Sequence, residues 1–174
     1  MKINFQALKS IYFHEMDRFR RTLTQSLLSP VLTTSLYFIV FGSVIGGYVE
    51  KIDGISYGSY IVPGLLMLTL LTQSISNTSF GIFFPKFNGT IYEILAAPIS
   101  TLEIVLAFVG AGATKTLIVG AMIFITATFF VEVEVKYPVL MIFLLVLVSF
   151  TFALFGFLIG LMSSNFEQMS IIPS

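Results

Sequence analysis

The chain has 174 residues, 56% of them hydrophobic and 10% charged, with nine basic side chains against nine acidic ones, one histidine and no cysteine. Its mean hydropathy of +0.97 marks an integral membrane protein and excludes an ordinary soluble domain, because each crossing of a ~30 Å hydrocarbon layer takes about 20 apolar residues. Zero net charge excludes the basic face of a nucleic-acid-binding protein, and one histidine without cysteine excludes disulfides and thiolate metal sites.

The first segment carries Lys2, Lys9, Arg18, Arg20 and Arg21. Within it Phe5, Leu8, Tyr12, Met16, Phe19 and Leu23 recur at three- and four-residue spacing, which places them on one helical face. Glu15 with Arg18, and Asp17 with Arg20 and Arg21, stand within pairing distance elsewhere on the same helix. An apolar face beside a basic one predicts an amphipathic helix over 4–26 lying in the membrane interface. A plain positively charged flank to the first span is the simpler alternative.

Four apolar runs follow, over 30–49, 60–84, 104–131 and 139–162, each long enough to cross the bilayer. In the second, Thr69, Gln73, Ser76 and Asn77 form a polar stripe; it is either a path for an amphipathic substrate or a set of interhelical hydrogen bonds. The loop after it holds the turn pair Asn88-Gly89, and Thr90 with Glu93 at the spacing of a capping box. A helix from Ile91 to Ala97 is predicted there, stopped by Pro98, which disfavours helical geometry at the residue before it. So short a helix is marginal alone and must pack on its own bundle or on another protein.

Ser100 and Glu103 form a second capping box, which opens the third span. The apolar run from Leu102 to Val131 exceeds a single crossing, reaching about 45 Å at ~1.5 Å per residue. Lys115 within it must snorkel or face a protected interior, so the lipid-spanning part is expected from about Thr114. Gly42 with Gly46, Gly156 with Gly160, and the row Gly112, Thr116, Gly120 predict close helix packing. The acidic residues all fall outside the span centres, so no intramembrane carboxylate relay is expected. Neither a zinc-binding helix, a phosphate-cradling loop nor a serine elbow is present, so the chain reads as a non-enzyme needing no cofactor. Four spans put the amino terminus, the Lys86 loop and the carboxyl tail on one side. That side carries Lys2, Lys9, Arg18, Arg20, Arg21 and Lys86 against Lys51 and Lys136, which makes the amino terminus cytoplasmic.

The order of parts resembles the type-2 ATP-binding-cassette exporter permeases. The resemblance covers essentially the whole chain and rests on Leu28-Ser29-Pro30 at the first span, on the segment from Tyr60 to Leu66 with its Pro63-Gly64, and on the loop from Gly89 to Ser100. It implies an all-α membrane protein with an interfacial connecting helix, four spans and, over 90–98, a cytoplasmic coupling helix between spans two and three. Gly89, Thr90, Ile91, Glu93, Leu95 and Pro98 would then belong to the contact with a separate ATPase subunit, which hydrolyses ATP. The resemblance further implies a second permease copy, membrane lipid as surroundings, residence in the cytoplasmic (inner) membrane, and export of a drug, lipid-linked glycan or similar amphipathic molecule. Members have six spans, and the segment from Phe166 to Ser174 resembles the start of a fifth, so residues 1–174 read as an incomplete permease domain. The alternative class is a self-contained oligomeric four-span carrier or channel assembled through the glycine rows.

Overall fold

A computed structural model describes residues 4–45, 54–133 and 135–171, so that Lys2, Gly46, Glu50, Lys51, Asp53 and Glu134 lie outside the described residues. The elements in order are α1 (Phe5–Arg21), α2 (Leu23–Tyr37, continued as a π-helix over Phe38–Ile45), α3 (Tyr57–Asn88), α4 (Ile91–Ala96), α5 (Thr101–Phe130), α6 (Pro138–Met162) and α7 (Phe166–Ile171). Among the described residues four helical stretches are long and apolar enough to cross a membrane: Leu23–Phe41, α3, α5 and α6.

Over the described residues each predicted run falls on one of these helices to within a residue, with 46–49 of the first outside them, and two of the helices begin or end elsewhere than expected. The helix of the first span starts at Leu23 and carries Pro30 inside it, and α3 continues through Pro63 and Pro85 to Asn88. A proline removes one donor, whereas an unravelled turn in or near lipid strands several backbone groups without water, so the helix persists. The amphipathic helix expected over 4–26 is divided at Thr22, whose backbone (φ −106°, ψ 15°) leaves helical geometry between α1 and α2.

α5 is the hub, with 61% of its most apolar stretch inside the bundle against 33% for α3 and 22% for α6. Ile104, Phe108 and Val109 of α5 meet Ile82 of α3 and Ala153 and Phe157 of α6 in one buried cluster. The glycines set the helix separations. A Cβ on Gly156 would stand 2.5 Å from the Ile75 carbonyl oxygen and one on Gly160 2.5 Å from that of Ser79, so α6 rests on the backbone of α3. Gly112 likewise admits the Thr78 side chain, and Gly120 admits Leu70.

α1 runs alongside α5 in the same direction. The Asn4 N–H donates to Glu103 Oε1 (2.5 Å), the Tyr12 hydroxyl to Thr114 Oγ1 (3.1 Å), and Phe19 packs in a cluster with Val119 and Ile123. Leu8, Ile11, Tyr12, Met16 and Phe19 face inward, whereas Phe5, placed on the same stripe by its spacing, is 72% exposed. Lys86 Nζ donates to the carbonyls of Leu161 (2.7 Å) and Ser163 (2.9 Å), tying the end of α3 to the end of α6. At the opposite end the Ser59 hydroxyl donates to the Glu132 carbonyl (2.7 Å). The start of α1, the end of α3, α4, the start of α5 and the end of α6 therefore share one side of the bundle.

Candidate functional site

The loop between α3 and α5 is built from a left-handed turn, a six-residue helix and a proline stop. Gly89 (φ 80°) ends α3, its N–H donating to the Lys86 carbonyl (3.4 Å), a backbone conformation that favours glycine. Thr90 already has helical dihedrals (φ −66°, ψ −13°) and makes no side-chain cap. Its hydroxyl instead donates back to the Pro85 carbonyl (3.4 Å). The capping box expected between Thr90 and Glu93 is therefore absent: a residue leaving a left-handed glycine directly into a helical turn lacks the extended geometry that aims a cap forward. α4 ends at Ala96, with Ala97 extended (ψ 151°) before Pro98. Ile91 and Ile94 pack against the α3–α5–α6 cluster. Tyr92 (73%), Glu93 and Leu95 (62%) point outward.

The second capping box does form. The Ser100 N–H donates to Glu103 Oε2 (2.8 Å) and the Glu103 N–H to Ser100 Oγ (3.4 Å), while Glu103 Oε1 holds Asn4. One carboxylate thus starts α5 and moors the beginning of α1.

The polar interior differs more sharply from expectation. Glu15 pairs with Arg18 (2.8 Å), as its spacing predicts, but it does so from the inward face of α1, where it is 2% exposed. The same oxygen, Oε2, also accepts from Lys115 Nζ (2.7 Å). A carboxylate is therefore present within the bundle, delivered by α1 rather than by any spanning helix. Asp17, exposed, forms no ion pair with Arg20 or Arg21. The signal that reveals Glu15 is its register: three residues after Tyr12 and four before Phe19, it stands inside the apolar stripe. A lone carboxylate in such a stripe and a lone lysine in an apolar span each need a partner. Gly81 of α3 lies under this pair, where a Cβ would touch Glu15 Oε2 at 3.4 Å.

Beside the pair opens a cavity of about 560 Å³, lined by Arg18, Phe19 and Thr22 at the end of α1, Ser26 of α2, Ser76, Asn77, Ser79 and Phe80 of α3, Lys115 of α5 and Met169 of α7. Two members of the predicted polar stripe, Ser76 and Asn77, thus line it. Gln73 does not, but its Oε1 accepts from Asn77 Nδ2 (3.3 Å), and Thr69 turns its hydroxyl to the Leu65 carbonyl of its own helix (2.8 Å). Gly42 lies in the π-helical part of the first span.

Residues 6–174 match the family model described as ABC-2 type transporter. The chain belongs to the ABC-2 type transporter family. Among the curated proteins it is similar to the inner membrane transport permease YadH of Escherichia coli strain K12, of Escherichia coli O157:H7 and of Shigella flexneri. Each is 38% identical over 174 residues, spanning 100% of this chain and 68% of the relative. No solved structure gives a significant match. In this ABC-2 membrane transport permease, α4 and the charged cavity lie on different parts of α3, the first at its end and the second about two to three turns before it.

Proposed function

We propose that this ABC-2 permease is the membrane-spanning subunit of an ATP-driven exporter. It moves an amphipathic substrate, such as a drug or a lipid-linked glycan, out through the cytoplasmic membrane. A separate ATPase subunit hydrolyses ATP and docks on Gly89, Thr90, Ile91, Glu93, Leu95 and Pro98, and a second permease copy completes the path. The observation that carries this reading is the two-faced character of α4. Its inner face, Ile91 and Ile94, packs on the cluster shared by α3, α5 and α6, while Tyr92 and Leu95 stand exposed beside Glu93. Large exposed apolar side chains outside the lipid favour a protein partner. A push on the outer face is delivered to Ile104 and Phe108, and the Lys86 clamp moves the ends of α3 and α6 together. α1 serves as the connecting helix, and its charges hold the amino terminus on the cytoplasmic side.

The test is co-purification. Glu93→Arg combined with Leu95→Arg reverses one charge and buries another in the contact, and the ATPase is expected to be lost while the permease keeps its helical content. Retention of the ATPase by the folded double variant overturns the docking role. The second reading, a self-contained oligomeric carrier or channel, has one observation in its favour, the Glu15–Lys115 pair beside the cavity. It predicts transport by the purified chain on an ion gradient alone.

A further inference from the structure

We propose that the cavity lined by α1, α2, α3, α5 and α7 is a binding site for a singly charged phosphate group carried by a membrane lipid of the leaflet facing α4. The charge argument comes first. Arg18 and Lys115 share one oxygen of a single carboxylate, Glu15, so two cations face one anion and one positive charge is left in excess within a partly enclosed space. A monoanionic phosphodiester neutralises it, whereas a zwitterionic headgroup brings a cation of its own.

Donors surround the charge. Arg18 spends one nitrogen on Glu15 and holds its guanidinium 5.4 Å from the Phe80 ring centre, and as a lining residue of the cavity it has further N–H groups to offer a ligand. Asn77 gives one of its amide hydrogens to Gln73 and retains the other. Ser76 completes the α3 wall, and Ser79, also on it, gives its hydroxyl to the Ser76 carbonyl (3.2 Å). Phe19 and Phe80 line the same cavity, so the wall is amphipathic and fits the junction of a headgroup with its acyl chains.

Depth identifies the lipid as the source of the phosphate. Asn77 stands 20 residues along α3 from Tyr57, about 30 Å at ~1.5 Å per residue, which is one hydrocarbon thickness. With Tyr57 taken as the opposite boundary of the hydrocarbon, this distance puts the cavity at headgroup level on the side of α4. A cavity of about 560 Å³ has the size of a small-molecule site. The inference stands on this geometry alone and holds whether or not an ATPase docks on α4.

Native mass spectrometry of the delipidated full chain, titrated with phosphatidylglycerol or phosphatidylcholine, tests it. The expected result is one saturable phosphatidylglycerol per chain, bound about 10-fold or more tightly than phosphatidylcholine. Arg18→Gln abolishes the preference. Asn77→Leu, which changes the α3 lining and leaves every charge in place, weakens phosphatidylglycerol binding as well. Arg20→Gln with Arg21→Gln, both exposed and outside the cavity, leaves the preference intact. Equal binding of the two lipids overturns the proposal, and so does loss of preference in the Arg20/Arg21 variant equal to that in Arg18→Gln. Sodium phosphate displacing the lipid at equal concentration assigns the site to a free anion and overturns the lipid source.

Discussion

Glu15 and Lys115 are both almost wholly buried, and Arg18 reaches the same carboxylate from a side chain that is 26% exposed. Removing one member of a buried pair strands the other, at a cost of about 3–5 kcal/mol, but the two deletions are not equivalent here. Glu15→Gln leaves the Lys115 ammonium inside the bundle without an anion. Lys115→Met leaves Glu15 its bond to Arg18. Thermal unfolding in detergent is therefore expected to fall more for Glu15→Gln than for Lys115→Met, and the combined variant is expected to recover part of the loss. Equal losses, simply additive in the double variant, contradict the pairing. The glycines provide a second comparison. Gly156→Ala puts a methyl into the Ile75 backbone, costing about 1–3 kcal/mol. Gly64→Ala, with open space around it, is expected to be neutral or stabilising by up to about 1 kcal/mol, as alanine favours a helix over glycine.

At the scale of elements, the two capping-box patterns of the loop around α4 behave differently, and the difference is measurable. Glu103→Ala removes the acceptors of both Ser100 and Asn4 and is expected to cost about 1–2 kcal/mol and to expose α1 to limited proteolysis. Thr90→Ala removes no cap and is expected to leave the unfolding temperature nearly unchanged. The pattern is the same in both places, but Ser100 is extended after Pro98-Ile99 whereas Thr90 follows the left-handed Gly89 directly. Short-range chemistry of this kind is legible from residue types only when the preceding backbone is known. The four spans were legible because lipid imposes a length and an apolar composition on each of them. The two-faced α4 was legible in part, through Pro98 and the spacing of Ile91 and Ile94. The cavity was not: it requires α1 to be set against α5, and that docking depends on Glu15 and Lys115, 100 residues apart. Ser76 and Asn77 were visible as a stripe, but the cations that share the cavity with them were not.

For the whole molecule, the clamp from Lys86 to Leu161 and Ser163, the Asn4–Glu103 bond and the position of α4 gather one set of ends on one side, with Ser59 and Glu132 on the other. From the distribution of Lys and Arg we propose that the first side is cytoplasmic. Alkaline-phosphatase fusions are expected to be active at Gly54 and inactive at Asn88, and the reverse pattern overturns the orientation. The proposed contact between α4 and an ATPase is open to a direct test. The chain has no cysteine, so Leu95→Cys introduces a single thiol at its exposed face. Thiol-directed crosslinking in membranes is predicted to join that residue to an ABC ATPase, with the yield depending on bound nucleotide, while a thiol placed at the exposed Phe143 near the opposite end of the bundle, on α6, is not joined to it. A Leu95→Cys permease that is folded in the membrane and never crosslinks to an ATPase contradicts the account.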